Sequence, residues 1–225
     1  MKKYFAILGL LFCFSQGNAQ IFSGERLLNQ PDIDVKRWSW GYFLGFNKYD
    51  YSFRYKEYLP SPSTGKDLIV ETGIGFNVGL VGSLKLSNNL DIRLEPGVSF
   101  NTAGIKATYT TEVDEVSSTH VHIPLLLKFS ANRLNNFRPF VVGGVSTSIN
   151  LSSNENNPEA NIRMTTNNYF YEVGVGIDLY FYYFKLSPSL RGVFALNNEF
   201  ISGTADMMNV ETMHTRGIFL NFTFQ

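Results

Sequence analysis

The side chains best suited to chemistry in this sequence are three histidines, His120, His122 and His214. A histidine beside a carboxylate can serve as a general base, and Asp114 or Asp206 could supply the acid. His120 and His122 are two residues apart, so in an extended chain they share one face. No third ligand with metal-site spacing follows them. Gly73, Gly75 and Gly79 are dense enough to suggest a phosphate-binding loop, but they alternate with apolar residues and no helix follows. A single cysteine, Cys13, is present. The expectation from these residue types is no catalytic residue, no metal site and no cofactor.

The elements that must position these residues start with the amino terminus. Met1-Lys2-Lys3 is positive, the run from Tyr4 to Phe14 is apolar, and Gly17-Asn18-Ala19 offers small residues for cleavage. That is the form of a signal peptide over residues 1–19. The run is about half the ~20 residues of a spanning helix. Phe12, bulky before Cys13, argues against a lipid-attachment box. The mature chain would lack cysteine, and with it any disulfide framework or thiolate chemistry. A polar leader over residues 20–37 reads as a mobile periplasmic tail.

Formal charge is zero and charged residues make up 17%, which gives no basic footprint for nucleic acid. Aromatics reach 15%, with 20 Phe and 12 Tyr, a content that favours strands. No later apolar run approaches helical spanning length. A mature chain in a membrane would therefore have to be a closed barrel, since only closure leaves no strand edge unpaired in lipid.

From residue 38 onward the chain divides into eight segments with apolar residues at alternate positions, near 38–51, 71–86, 90–101, 120–131, 137–150, 168–180, 184–196 and 213–224. Their length and period match tilted membrane strands. In the second, Ile74, Phe76, Val78, Leu80, Leu84 and Leu86 oppose Gly73, Gly75, Asn77, Gly79, Ser83 and Lys85. The third sets Leu90, Ile92, Leu94, Val98 and Phe100 against Asp91, Arg93, Glu95, Gly97 and Ser99. The fifth alternates least, because Val141, Val142 and Val145 fall on no single face. Connections alternate between short ones, at 87–89, 132–136 and 181–182, and long ones, at 56–70, 102–119, 151–167 and 197–212. Short periplasmic turns and longer outer loops are the pattern of outer-membrane barrels. Pro124 and Pro188 fall inside strands and predict bulges or bends.

The second face is Gly, Ser and Asn with sparse charge, unlike the Lys- and Glu-rich exterior of a soluble sandwich, and it suits the narrow bore of an eight-stranded barrel. A turn at 181–182 places Asp178 opposite Lys185 and Glu172 opposite Arg191, and a turn at 87–89 places Lys85 opposite Asp91. Isolated charges in a dry bore are costly. Lys85, Asp91, Arg93, Glu95, Lys128, Glu172, Asp178, Lys185 and Arg191 are therefore expected to form an interior ion-pair network that fills the barrel.

The stretches GFNVGLVGSLKLSNNLDIRLEPGVSF (75–100), HIPLLLKFSANRLNNFRPFVVGGVS (122–146) and YEVGVGIDLYFYYFKLSPSL (171–190) resemble the PorT family of Bacteroidetes outer-membrane barrels. WGYFLGFNKYDY (40–51) extends the likeness. The resemblance implies an accessory or assembly role in the type IX protein secretion system, in some members linked to gliding motility, with no catalytic residues to carry over.

The sequence thus predicts an all-β, eight-stranded antiparallel transmembrane barrel over residues 38–225, in the outer membrane, with both termini periplasmic. It would be non-enzymatic, with outer-membrane lipid and other secretion-system proteins as partners and neither nucleic acid nor a small-molecule substrate. The alternatives are a surface adhesion or ligand-binding barrel working through its outer loops, and a rim enzyme using His122 or His214.

Overall fold

A computed structural model describes residues 28–56, 68–107, 114–153, 155, 163–201 and 210–225. The expected signal peptide and the first part of the leader, 20–27, lie outside the described residues, as does Asp206.

The strands are β1 (Trp38–Tyr55), β2 (Leu68–Thr72), β3 (Gly75–Lys85), β4 (Leu90–Leu94), β5 (Gly97–Ala107), β6 (Asp114–Ser130), β7 (Phe137–Asn150), β8 (Arg163–Met164), β9 (Asn167–Tyr180), β10 (Lys185–Ala195), β11 (Phe200–Ile201) and β12 (Val210–Phe224). β2 with β3 and β4 with β5 each make one interrupted stave, so the wall is a ring of eight staves, all antiparallel. It closes through β1, which pairs with β12 on one side and β3 on the other. β8 and β11 form a separate small ladder in the loop region.

The staves follow from the alternation. Ile74, Phe76, Val78 and Leu80 are exposed on the outside, while Asn77 and Ser83 are buried inside. The same split holds in β9, where Tyr169, Tyr171, Val173, Val175 and Ile177 face out and Glu172 and Asp178 face in. An exterior this apolar is the surface a bilayer requires. At the short-turn end it carries stacked aromatics, with Trp38 against Trp40 at 6.3 Å and Tyr42 against Phe224 at 5.1 Å between centroids. β7 alternates as regularly as the others, since Val141 and Val145 are exposed and Val142 is buried. Its pattern is obscured in sequence because Phe140 and Val142 point into the bore beside Leu126.

Several boundaries differ from expectation. β1 continues to Tyr55, and segments read as loop are ladder, with Leu68 opposite Ala107 and Ile105 opposite Asp114. The prolines do not shift the register. Pro124 keeps its place opposite Ser146, and Glu95 donates its N–H to the Pro124 carbonyl at 3.1 Å. The stave of β4 and β5 is interrupted at Glu95-Pro96, where Pro96 has no N–H to give, yet both halves hold one register against β6. Around Pro188 the rungs between Leu186 and Ser189 are missing against β9, again without slippage.

The turn between β9 and β10 spans residues 181–184, with Lys185 opposite Tyr180. The expected two-residue turn is therefore incorrect, and every pairing moves by two positions. Asp178 does not stand opposite Lys185, and Glu172 stands opposite Val193 and not Arg191. Because side chains alternate with period two, a shift of two leaves each residue on its own face.

Candidate functional site

Inward-facing positions of all eight staves converge on a bore occupied by side chains. At its middle runs a buried chain of charges. Arg93 Nε lies 3.4 Å from Glu95 Oε1, and Glu95 Oε2 accepts from Arg191 Nη2 at 2.9 Å. Arg191 Nη1 reaches Glu172 Oε2 at 3.2 Å, and the other Glu172 oxygen meets His122 Nε2 at 2.8 Å. These groups come from β4 and the residue following it, β10, β9 and β6, so the chain ties non-adjacent staves across the barrel.

Nearer the short turns, Lys128 Nζ donates to both oxygens of Asp178, at 2.6 and 2.8 Å, and Ser187 Oγ donates to the same carboxylate at 2.6 Å. The Lys128 ammonium also sits 4.1 Å from the Phe140 ring centroid. Toward the long loops the bore turns polar-neutral and then apolar. Asn77 donates to Asn221 at 2.6 Å and Asn101 to Asn47 at 3.0 Å. Above them Tyr49, Phe170, Val193 and Phe219 pack together, followed by Tyr51, Met164, Val210 and Met213.

Of the nine charges read from sequence, Arg93, Glu95, Arg191 and Glu172 stand in one chain and Lys128 with Asp178 in a second group. Lys85 faces Asp91 across the ladder, but its ammonium donates to the backbone carbonyl of Asp34. Lys185 lines the mouth of the bore.

His122, a catalytic candidate by residue type, stands beside Glu172, a place its residue type does not reveal. The signal was its parity, since on β6 His120 and His122 share the face of Lys128. His120 packs on Tyr49 and lies 3.3 Å from Ser148 Oγ. His214 is on β12 opposite Ser52, away from both. No cluster of three His, Cys, Asp or Glu suited to a metal occurs among the described residues.

The leader is the second departure. Residues from Leu28 to Arg37 are not a loose tail but a strap across the short-turn mouth. Asn29 N–H donates to Asn136 Oδ1 at 2.9 Å and its side chain to the Tyr180 carbonyl at 3.0 Å. Asp34 accepts from Arg133 Nη1 at 3.1 Å and from the Tyr180 hydroxyl at 2.8 Å, and Arg138 lies 3.7 Å away. Arg133 in turn covers the Tyr180 ring at 3.7 Å.

Another acid outside the spanning strands is buried at the opposite end. Glu199, between β10 and β11, is buried, accepts from the Thr215 hydroxyl, and has no partner for Oε1 among the described residues. Burial pushes its carboxyl up to about 7.

An apolar girdle around a closed antiparallel ring, with a bore closed by its own side chains, defines an integral β-barrel of the bacterial outer membrane. The chain belongs to the family described as outer membrane protein beta-barrel domain, whose model matches residues 14–201. Among solved structures it is similar to outer membrane protein OprG from Pseudomonas aeruginosa, at 11% identity and a TM-score of 0.51, over 82% of this chain and 94% of that one. Neisserial surface protein A matches at 9% identity and a TM-score of 0.47, over 84% and 98%. At such identities the first likeness is one of fold alone. No curated protein matches the chain.

Proposed function

We propose that the protein is a non-enzymatic accessory or assembly component of the type IX protein secretion system, acting in the outer membrane through contacts with other secretion-system proteins, and in some settings needed for gliding motility. The observation that carries this reading is the charge chain from Arg93 through Glu95, Arg191 and Glu172 to His122. A barrel whose bore is spanned by ion-paired side chains works through its ends and outer wall and not as a conduit. The PorT-like stretches in residues 75–100, 122–146 and 171–190 supply the particular system.

The test is deletion of the gene followed by mass spectrometry of culture medium and membranes for proteins bearing type IX sorting domains. Loss of those cargoes from the medium, restored by complementation, is the expected result; unchanged secretion sinks the reading.

A second reading rests on the staves that continue past the apolar girdle, where β2 pairs with β5 as far as Leu68 and Ala107. Such an extension would present outer loops for adhesion or ligand binding. Exchange of the 56–70 or 151–167 loop would then abolish a binding activity while secretion continued.

A further inference from the structure

Beneath the strap, at the short-turn mouth, lies a recess of about 30 Å³ lined almost wholly by polar side chains. Six cations border it, Lys36, Arg37, Lys85, Lys128, Arg138 and Lys185. Only three carboxylates, Asp34, Asp91 and Asp178, face them. Gln225 also lines the recess with a neutral side chain, so the cations outnumber the side-chain carboxylates.

Several of these cations are already engaged. Lys128 is held by Asp178, Lys85 by the Asp34 carbonyl, and Arg138 by the carbonyls of Ala131 and Asn88. Lys185 is different. It is 8% exposed, and among the described residues its ammonium has no side-chain hydrogen bond or close ion pair, only the through-space attraction of Asp178 and, less strongly, of Asp34 and Asp91. The loss of hydration around this ammonium is offset only by those through-space attractions, with no direct hydrogen bond from a side chain. Lys36 and Arg37 reach the same recess from the strap, where they are exposed.

We infer that this recess is an anion site that takes a phosphate-type oxyanion, with Lys185 at its floor and Lys36 and Arg37 at its rim. The excess of cations suits a phosphate, which carries roughly −1.5 to −2 at neutral pH. The volume, on the scale of one or two water molecules, admits the oxygens of such a group and not a bulky ligand. The strap contributes both rim cations, so occupancy would also hold the strap against the barrel. The inference rests on this geometry and not on the secretion reading.

The group could arrive as free phosphate or on the headgroup of a periplasmic-leaflet lipid. The test uses the full-length mature protein in phosphatidylcholine nanodiscs, titrated with sodium phosphate or sodium chloride at equal ionic strength. Phosphate should raise the unfolding temperature saturably and broaden the ³¹P resonance, whereas chloride should not. Lys185→Gln should weaken the apparent affinity by roughly tenfold or more, as loss of a charged hydrogen bond does. Lys36→Gln, an exposed change that leaves the bore untouched, should weaken it too, and Lys48→Gln at the far end should not. Equal responses to phosphate and chloride, or a full phosphate response in Lys36→Gln and in any folded Lys185→Gln, overturn the site. In phosphatidylglycerol nanodiscs, loss of the free-phosphate response in the wild type but not in a lipid-free micelle would assign the headgroup as the source. Persistence would assign the free anion.

Discussion

Arg191 meets Glu172 diagonally. Its direct neighbour across the ladder is Gly174, yet Nη1 lies 3.2 Å from Glu172 Oε2. The glycine makes this approach possible, because a Cβ at position 174 would stand 2.5 Å from Arg191 Cγ and 2.6 Å from the Leu190 carbonyl oxygen. Gly174→Ala should therefore displace the arginine and cost about 1 to 3 kcal/mol, as overpacking does. Urea unfolding in lipid vesicles measures it, and an unchanged midpoint would show that the wall can yield.

Arg191→Met tests the charge chain itself. The guanidinium is shared by Glu95 and Glu172, so its removal leaves two buried carboxylates short of a partner. Breaking such a buried group costs about 3 to 5 kcal/mol. Adding Glu172→Gln to Arg191→Met should recover part of the loss, and strict additivity of the two changes in the same unfolding assay would argue that the residues do not act together.

Conductance probes the bore as a whole. With Lys128–Asp178, the Arg191 chain and the Tyr49–Phe170–Phe219 packing stacked along the axis, planar bilayers containing the purified barrel should show no steady ohmic current above background. A stable open level would mean that this filling moves aside.

The strap gives a prediction of a different kind. Asp34→Asn removes the charge that Arg133 and Arg138 approach, while leaving the barrel wall intact. Because Asp34 is partly exposed, global stability should fall by about 1 kcal/mol or less. Trypsin cleavage after Lys36 and Arg37, however, should accelerate several-fold as the strap opens locally. Cleavage at the wild-type rate would show that Asn29 and the backbone contacts hold it alone.

What was legible in the sequence follows from period. Ile74 to Leu80 and Tyr169 to Ile177 alternate because lipid and bore are both demanding, so faces and staves could be read directly. The β9–β10 register could not, because Phe181-Tyr182-Tyr183-Phe184 contains none of the Asn or Gly that fix a two-residue turn. β7 was blurred by Phe140 and Val142, apolar residues used as bore filler. The strap is not legible in sequence because its polarity suits water equally well, and only the tertiary position of Arg133, Arg138 and Tyr180 gives Asp34 somewhere to bind. The residue type of His122 points to chemistry, whereas its pairing with Glu172 is set by the face it shares with Lys128.

The pH dependence of stability should carry a contribution from Glu199 with a definite sign. Burial raises its carboxyl from 4.5 to about 7 in the folded protein, so the fold holds this proton more tightly than the unfolded chain does. The stabilisation is fully present below about pH 4.5, is lost as pH rises through about 7, and is absent above that, where both states are ionised. Thr215 continues to donate to the acid throughout, which offsets only part of the cost of a buried charge. Glu199→Gln keeps the shape without the titration. The difference in unfolding midpoint between wild type and this variant, followed from pH 4 to 8, should move steadily against the wild type. A difference independent of pH would mean that the carboxylate is solvated in the folded barrel.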